Sequence, residues 1–256
     1  MMLVPLLLLS CNRDEKPEVP ENKGTSTDLT FNVKGVEYSM VLVEHGFFIR
    51  GEKDASVMSN PVYLTKDYYL GKSEVTQELW KAVMGNNPSK DTSDRNKPVE
   101  NVSWDDCQTF LSKLNELTGK QFRLPTECEW EYAARAGVRK EPFSYSGSDN
   151  IDEVAWYKDN AENAIHCVCQ KKANALGLYD MTGNVCEWCQ DPLPDAPLYR
   201  GDTLYDPVAT SAKPQYRVVK GAGFRTEVKY CNVSVVMCDE PACGEANRGL
   251  RLALTK

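Results

Sequence analysis

Three segments of the chain have the apolar spacing of amphipathic helices, and each begins with a serine or threonine that can cap a helix N-terminus. The predicted helices cover residues 76–84, 103–119 and 126–136. The third has the spacing of a capping box at its start, and the second ends at a glycine. Within the second helix, the 3.6-residue period predicts one buried stripe made of Cys107, Phe110, Leu111, Leu114 and Leu117.

The segments before the first helix alternate apolar and polar residues, which is typical of strands. Residues 33–50 alternate in this way around Gly35 and Gly46, which predicts a short hairpin with strands at 40–43 and 46–51. Residues 62–64 and 68–70 predict a second pair of strands. After residue 137 the chain is rich in turns, and long loops in a compact domain are functional or tied down by metal ions or disulfides. The pattern favours an α+β fold.

The N-terminal segment has the features of an export signal. Residues 1–10 are apolar but too short to span a bilayer as a helix, so they read as a signal-peptide core. The sequence that ends at Cys11 resembles a bacterial lipobox, in which the cysteine is lipidated; a plain secretory signal is the alternative. Residues 12–32 are charged and rich in Pro, Glu and Lys, which predicts a flexible tether before a domain at 33–256. These features predict a lipoprotein of the bacterial cell envelope, anchored in the outer membrane on its periplasmic or surface side.

Length and charge limit the possible functions. A chain of 256 residues is long enough for one large domain with a substantial core. Its formal net charge of −7 argues against nucleic acid as a partner, since binding to phosphates needs a basic surface.

Residues 174–191 read NALGLYDMTGNVCEWCQD and carry the densest set of candidate ligands. Gly183 permits a sharp turn, and the carboxylates of Asp180 and Glu187 flank it. Carboxylate and carbonyl oxygens are the ligands that Ca²⁺ prefers, although a tight turn with solvated acids has the same pattern.

This stretch resembles a signature of the formylglycine-generating enzyme, or sulfatase-modifying factor, family. Five further motifs of that family occur in order, at residues 69–76, 98–104, 123–135, 219–224 and 248–251, so that the resemblance covers about residues 38–254. It implies a large variant of the C-type lectin-like fold with much irregular loop. It also implies structural calcium held by the side chains of Asp180 and Glu187 and by the carbonyls of Gly183 and Val185.

Ten cysteines are present, and nine remain after Cys11 is set aside. An exported protein keeps disulfides, and the odd number leaves at least one thiol free or paired with another chain. Cys107 and Cys128 are predicted to be small buried apolar residues. Cys238 and Cys243 are the favoured disulfide. The remaining pattern, CxC at 167–169 and CxxC at 186–189, permits a zinc or copper site, disulfides, buried thiols or a thiol redox role.

The same resemblance raises the question of catalysis. Enzymes of this family oxidise a substrate cysteine to formylglycine with molecular oxygen and a copper ion held by two cysteines. The second of these falls at Cys231, but the first falls at Thr226, and a hydroxyl does not replace a thiolate on copper(I). The motif's serine falls at Gly223, and a tryptophan of the signature falls at Cys186, which suggests a displaced pair of Cys186 and Cys231.

Two functions are therefore weighed. The first is a non-catalytic, calcium-stabilised binding or scaffold module on a lipid anchor, whose partner is a peptide, a glycan or an envelope protein. The alternative is an oxidoreductase that uses copper to convert a sulfatase cysteine to formylglycine.

Overall fold

The computed structural model describes residues 28–51, 59–194, 203–212 and 214–256. The predicted signal peptide, Cys11 and most of the predicted tether lie outside these residues. Within the described ranges, none of the helices combines the length and the apolar character needed to cross a membrane.

The described residues form a mixed helix and sheet fold, as the sequence predicts. The helices are α1 (Gln77–Met84), α2 (Trp104–Thr118), α3 (Glu127–Ala134) and α4 (Ile151–Val154). The strands are β1 (Leu29–Val33), β2 (Val36–Val43), β3 (Gly46–Arg50), β4 (Asn60–Leu64), β5 (Tyr68–Gly71), β6 (Cys186–Pro192), β7 (Leu204–Tyr205), β8 (Arg217–Lys220), β9 (Met237–Asp239), β10 (Arg248–Gly249) and β11 (Ala253–Thr255). They form three small sheets with the orders β1-β2-β5-β11, β10-β6-β8-β9 and β3-β4-β7.

The three main helices begin where the sequence predicts. The Thr76 side chain accepts from the N–H of Leu79, and Ser103 begins a complete capping box with Asp106. Thr126 caps α3 in the same way. The predicted stripe on α2 is buried at four of its five positions, but Leu117 is 49% exposed, so that prediction is wrong. Leu117 lies in the last turn of the helix, beyond the point where α2 contacts the core.

The predicted strands exist, but their pairing differs from the prediction. β2 pairs with β1 and β5, whereas β3 pairs with β4 in a different sheet. The predicted hairpin of 40–43 with 46–51 is therefore wrong, and so is the pairing of 62–64 with 68–70. In both cases the short connection passes from one sheet to another, so neighbours in sequence are not neighbours in a ladder. β1 also starts at Leu29, inside the predicted tether.

β6 is an inner strand of its sheet and positions the candidate site. It pairs with β10 in parallel and with β8 in antiparallel orientation. Cys186 and Trp188 pack in the apolar cluster that includes α1 and α2, whereas Cys189 packs in the cluster that includes α3. Both faces of β6 are therefore buried, and Glu187 is completely enclosed.

Candidate functional site: a buried thiol pocket beside a carboxylate cluster

Two buried cysteines, Cys186 and Cys231, and two partly buried residues, Thr226 and Asn247, form a group that we call the thiol pocket. Cys186 begins β6, Thr226 and Cys231 come from the irregular segment after β8, and Asn247 immediately precedes β10. The Asn247 Nδ2 donates to Cys186 Sγ at 3.3 Å, and a side-chain hydrogen bond joins Cys186 to Thr226. Cys231 Sγ lies 3.4 Å from the carbonyl oxygen of Glu227. The structure thus brings the two cysteines of the suggested displaced pair into one pocket.

Both thiols of the pocket have a raised pKa. Burial raises the pKa of Cys186 to about 11. Burial, and then the charge of an ionised Cys186, raise the pKa of Cys231 to about 12. The surroundings of both thiols therefore disfavour the thiolate, which is the form that acts as a nucleophile.

The four residues predicted to hold calcium lie together around the start of β6, but Glu187 already has a cation. Its carboxylate accepts from Arg251 Nη2 at 2.7 Å and from Arg251 Nε at 3.0 Å. It also accepts from Trp130 Nε1 at 2.7 Å. In this arrangement Arg251 neutralises Glu187, so the carboxylate does not fit the ligand role that the resemblance assigns to it.

The other predicted carboxylate, Asp180, has a different environment. Its Oδ2 accepts from the N–H of Cys169 at 2.7 Å, and its side chain is enclosed. Burial raises the pKa of Asp180 to about 6. The residue itself adopts a φ of 57°, a left-handed conformation that is uncommon for residues other than glycine.

Glu74 is a third buried carboxylate that the sequence analysis did not single out, although it lies in the motif at residues 69–76. It accepts from the N–H of Val185 at 3.0 Å and from Asn184 Nδ2 at 2.9 Å. Burial, followed by the charge of Asp180, raises its pKa well above the usual range. Together with Asp180 and Glu187, Glu74 gives three buried carboxylates next to the single guanidinium of Arg251.

A second buried ion network lies beside α3. Lys220 Nζ is completely enclosed, 3.5 Å from Glu127 and 3.3 Å from Glu131. Arg50 and Arg135 complete the set, with Arg50 Nε 2.6 Å from Glu127 and Arg135 Nε 3.1 Å from Glu131. These buried ion pairs join α3 to β3 and β8. The pattern of charged residues in the sequence did not reveal them, because the partners are up to 93 residues apart.

All nine cysteines of the described chain are free thiols. The predicted Cys238–Cys243 disulfide is therefore wrong: Cys238 is held in β9 by its pairing with β8, and Cys243 belongs to the turn that follows. Cys107 and Cys128 are buried, as predicted. Cys186 and Cys189 pack in opposite clusters, so the CxC and CxxC motifs do not converge on one metal ion.

Among the described residues, one group has ligand atoms that all lie within 4.8 Å of one another. It consists of Asp239, Cys243 and Glu245 at the surface. Asp239 is already paired with Arg248 at 3.1 Å, and we assign no metal to this group.

Comparison with known proteins agrees with this architecture. The model of the sulfatase-modifying factor enzyme 1-like domain matches residues 26–256. The chaperone protein LppX of Paenibacillus barcinonensis is 33% identical, over 91% of this chain and 95% of its own length. A formylglycine-generating enzyme of Thermomonospora curvata is 32% identical in an alignment that covers 68% of this chain and 60% of that enzyme.

The fold is also present in a solved structure. Treponema denticola variable protein 1 superposes with a TM-score of 0.83 at 31% identity, covering 91% of this chain and all of that one. The mixed helix and sheet architecture is common to both, whereas the assignment to the C-type lectin-like class stays a prediction. Fold, ordered motifs and family model agree: the chain belongs to the sulfatase-modifying factor enzyme 1-like family.

Proposed function

We propose that this sulfatase-modifying-factor-like domain is a non-catalytic binding or scaffold module that holds a peptide, a glycan or another envelope protein. The observation that carries the proposal is the thiol pocket: Thr226 stands where the family pattern requires a copper-binding cysteine, and the two nearby thiols are buried.

Copper(I) chemistry depends on thiolates, which are the soft ligands that this ion selects. A threonine hydroxyl offers neither a soft donor nor a redox-active atom. Gly223 removes a second polar group, because it stands where the family motif has serine. Several changes in one pocket argue more strongly against the reaction than any one of them alone.

The similarity to LppX supports a holding role, because it extends over nearly the whole of both chains. That protein's name describes a chaperone and not an oxidase. Anchoring through a lipidated Cys11 would place the domain at the cell envelope, in the outer membrane. Metabolic labelling with a fatty acid tests this anchoring: the wild type is expected to incorporate the label and C11S is not.

A direct assay tests the absence of catalysis. A peptide that contains the sulfatase motif C-x-P-x-R would be incubated with the protein, copper and oxygen, and the mass of the cysteine residue followed. The Thermomonospora curvata enzyme serves as the positive control. We expect conversion by the control and none by this protein; formation of the aldehyde by this protein would refute the proposal.

One observation favours the alternative, an oxidoreductase with a displaced thiol pair. Cys186 is near enough to Cys231 for its charge to raise the pKa of the Cys231 thiol. Titration with copper(I) against a chromophoric chelator distinguishes the two functions. Tight binding that is lost in C231S and in C186S would support the oxidoreductase, whereas weak binding in all three proteins supports the scaffold.

Calcium is proposed as a structural ion next to Asp180, beside the carbonyls of Gly183 and Val185. What supports it is the clustering of three buried carboxyl groups, those of Glu74, Asp180 and Glu187, beside the guanidinium of Arg251, which pairs with Glu187. Negative charge on such a cluster is unfavourable in a protein interior unless a cation or protons compensate it. Bound calcium would supply positive charge and hold the loops around β6.

A further inference from the structure

We infer that the side chain of Asn247 closes the thiol pocket, and that glycine at position 223 is what allows it to do so. This inference rests on the proposed function, because it concerns the same pocket. It adds a second obstacle to reaction at this site, independent of the threonine at position 226.

The first observation is a close approach between the two residues. A Cβ atom on Gly223 would lie 1.8 Å from Asn247 Oδ1 and 2.6 Å from Asn247 Cγ. No two atoms of these types approach so closely without overlap. Gly223 does not have a positive φ, so its backbone conformation is open to other residues. A side chain at position 223 would therefore overlap the carboxamide of Asn247, which would have to move to admit it.

The second observation is how Asn247 is held. Its backbone carbonyl accepts from the N–H of Cys186 at 2.9 Å, while its Nδ2 donates to Cys186 Sγ at 3.3 Å. Backbone and side chain thus both contact the same cysteine. Cys186 is 1% exposed, whereas Asn247 is only partly buried. The carboxamide therefore contacts the Cys186 thiol directly, and Asn247 is the more exposed of the two residues.

The third observation concerns the oxygen of the same carboxamide. Asn247 Oδ1 is buried and has no hydrogen-bond partner within the described part of the chain. An unsatisfied buried carbonyl oxygen is unfavourable, so the hydrogen bonding of the carboxamide is not optimal in this position. The side chain is held there by its contacts with Cys186 and by the space that Gly223 leaves. A larger residue at 223 would displace it.

Displacement of Asn247 would open a small polar pocket that presents the thiols of Cys186 and Cys231 and the hydroxyl of Thr226. Such a pocket accepts thiophilic ligands, that is, soft metal ions and small electrophiles. A small electrophile is the better probe, because its reaction reports access to the thiol without requiring copper or oxygen.

The first experiment measures alkylation of native protein by N-ethylmaleimide, with each cysteine followed by peptide mass spectrometry. In N247A we expect Cys186 to react at least tenfold faster than in the wild type. Asn86→Ala, at an exposed position just after α1 with an ordinary backbone conformation, is the matched control and should leave the rate unchanged. Cys107, enclosed in the core, should stay unlabelled and thereby report that the fold is intact.

An unchanged rate at Cys186 in folded N247A would overturn the inference. If N247A labels Cys107 as well, the variant has unfolded, and a second measurement decides. Urea unfolding would be compared for G223S, N247A and the double variant G223S/N247A. We expect G223S to lower the urea midpoint in the wild-type background and to have a clearly smaller effect when Asn247 is alanine. Equal effects in the two backgrounds would show that the two positions are not coupled, and would also overturn the inference.

The outcome is separable from that of the peptide oxidation assay. If the wild-type protein oxidised the peptide while Asn247 still controlled access to Cys186, only the proposed function would fail. If the peptide stayed unmodified and Cys186 reacted equally in all variants, only the closure by Asn247 would fail.

Discussion

The buried carboxyl group of Asp191 should make the free energy of unfolding depend on pH. The size of this dependence can be calculated, and one substitution, D191N, should remove it. The residue is 3% exposed at the end of β6, where it accepts from the N–H groups of Glu127 and Ala209, each at 2.8 Å. Burial outweighs these hydrogen bonds and raises the pKa of Asp191 to about 7. In the unfolded chain an aspartate titrates near 3.9.

The sign follows from the number of protons bound. Between these two pKa values the folded state holds a proton that the unfolded state has lost, so the stability from this group is present at low pH and is lost as pH rises through 7. With a folded pKa of about 7, the free energy of unfolding should fall by about 3 kcal/mol between pH 4.5 and 7.5 from Asp191 alone.

The test is urea unfolding of wild type and D191N across this pH range. Asparagine resembles the protonated carboxyl group and does not titrate, so the variant should lose about 3 kcal/mol of the pH dependence while it keeps the part that comes from other groups. Asp105→Asn, at an exposed position in the first turn of α2, is the control and should follow the wild type. Parallel curves for wild type and D191N would refute the assignment of a raised pKa to this carboxyl group.

Three further changes test other parts of the structure. R251M leaves the carboxylate of Glu187 buried without its ion-pair partner, so it should lower the free energy of unfolding in urea by about 3–5 kcal/mol. The double variant R251M/E187Q should recover part of this loss. A loss below about 1 kcal/mol in R251M would contradict the ion pair. S103A removes the cap of α2 and should cost about 1 kcal/mol, measured in the same way, and an unchanged midpoint would count against the cap. EDTA should lower the melting temperature and Ca²⁺ should restore it, with no response in D180N; a wild-type melt that ignores EDTA would argue against calcium.

The parts of the fold that sequence predicts correctly are governed by local interactions. Thr76, Ser103 and Thr126 begin helices because a side-chain oxygen reaches an N–H three residues later, and this reach is a property of the segment itself. The α2 stripe is correct until Leu117, the position at which the helix leaves the core. Whether the last turn of a helix is covered depends on its neighbours and not on its own period.

Strand pairing and the fate of the cysteines depend on contacts between distant segments. The short connections after β2 and after β4 look like hairpin turns, yet each passes into a different sheet, because β5 pairs with β2 and β11. The CxxC spacing similarly suggests one metal site, but on a strand residues at i and i+3 face opposite sides. Cys186 and Cys189 are separated by this geometry, and Cys186 instead meets Thr226 and Asn247.

Many residues of the family motifs belong to the buried ion networks. The resemblance therefore predicts the fold but not whether the protein is an enzyme. Glu74, Glu187 and Arg251 each lie in a recognised motif and stabilise the start of β6, while Glu127 and Glu131 lie in another and hold Lys220. Removing one member of such a network leaves its partner's charge buried and uncompensated, which strongly destabilises the fold. These positions are therefore constrained by folding whether or not the protein is an enzyme. The thiol pocket makes no ion pair within the described chain, so changes at positions 186, 223 and 226 leave the networks intact. The residues of the pocket, and not those of the ion networks, distinguish an oxidase from a scaffold.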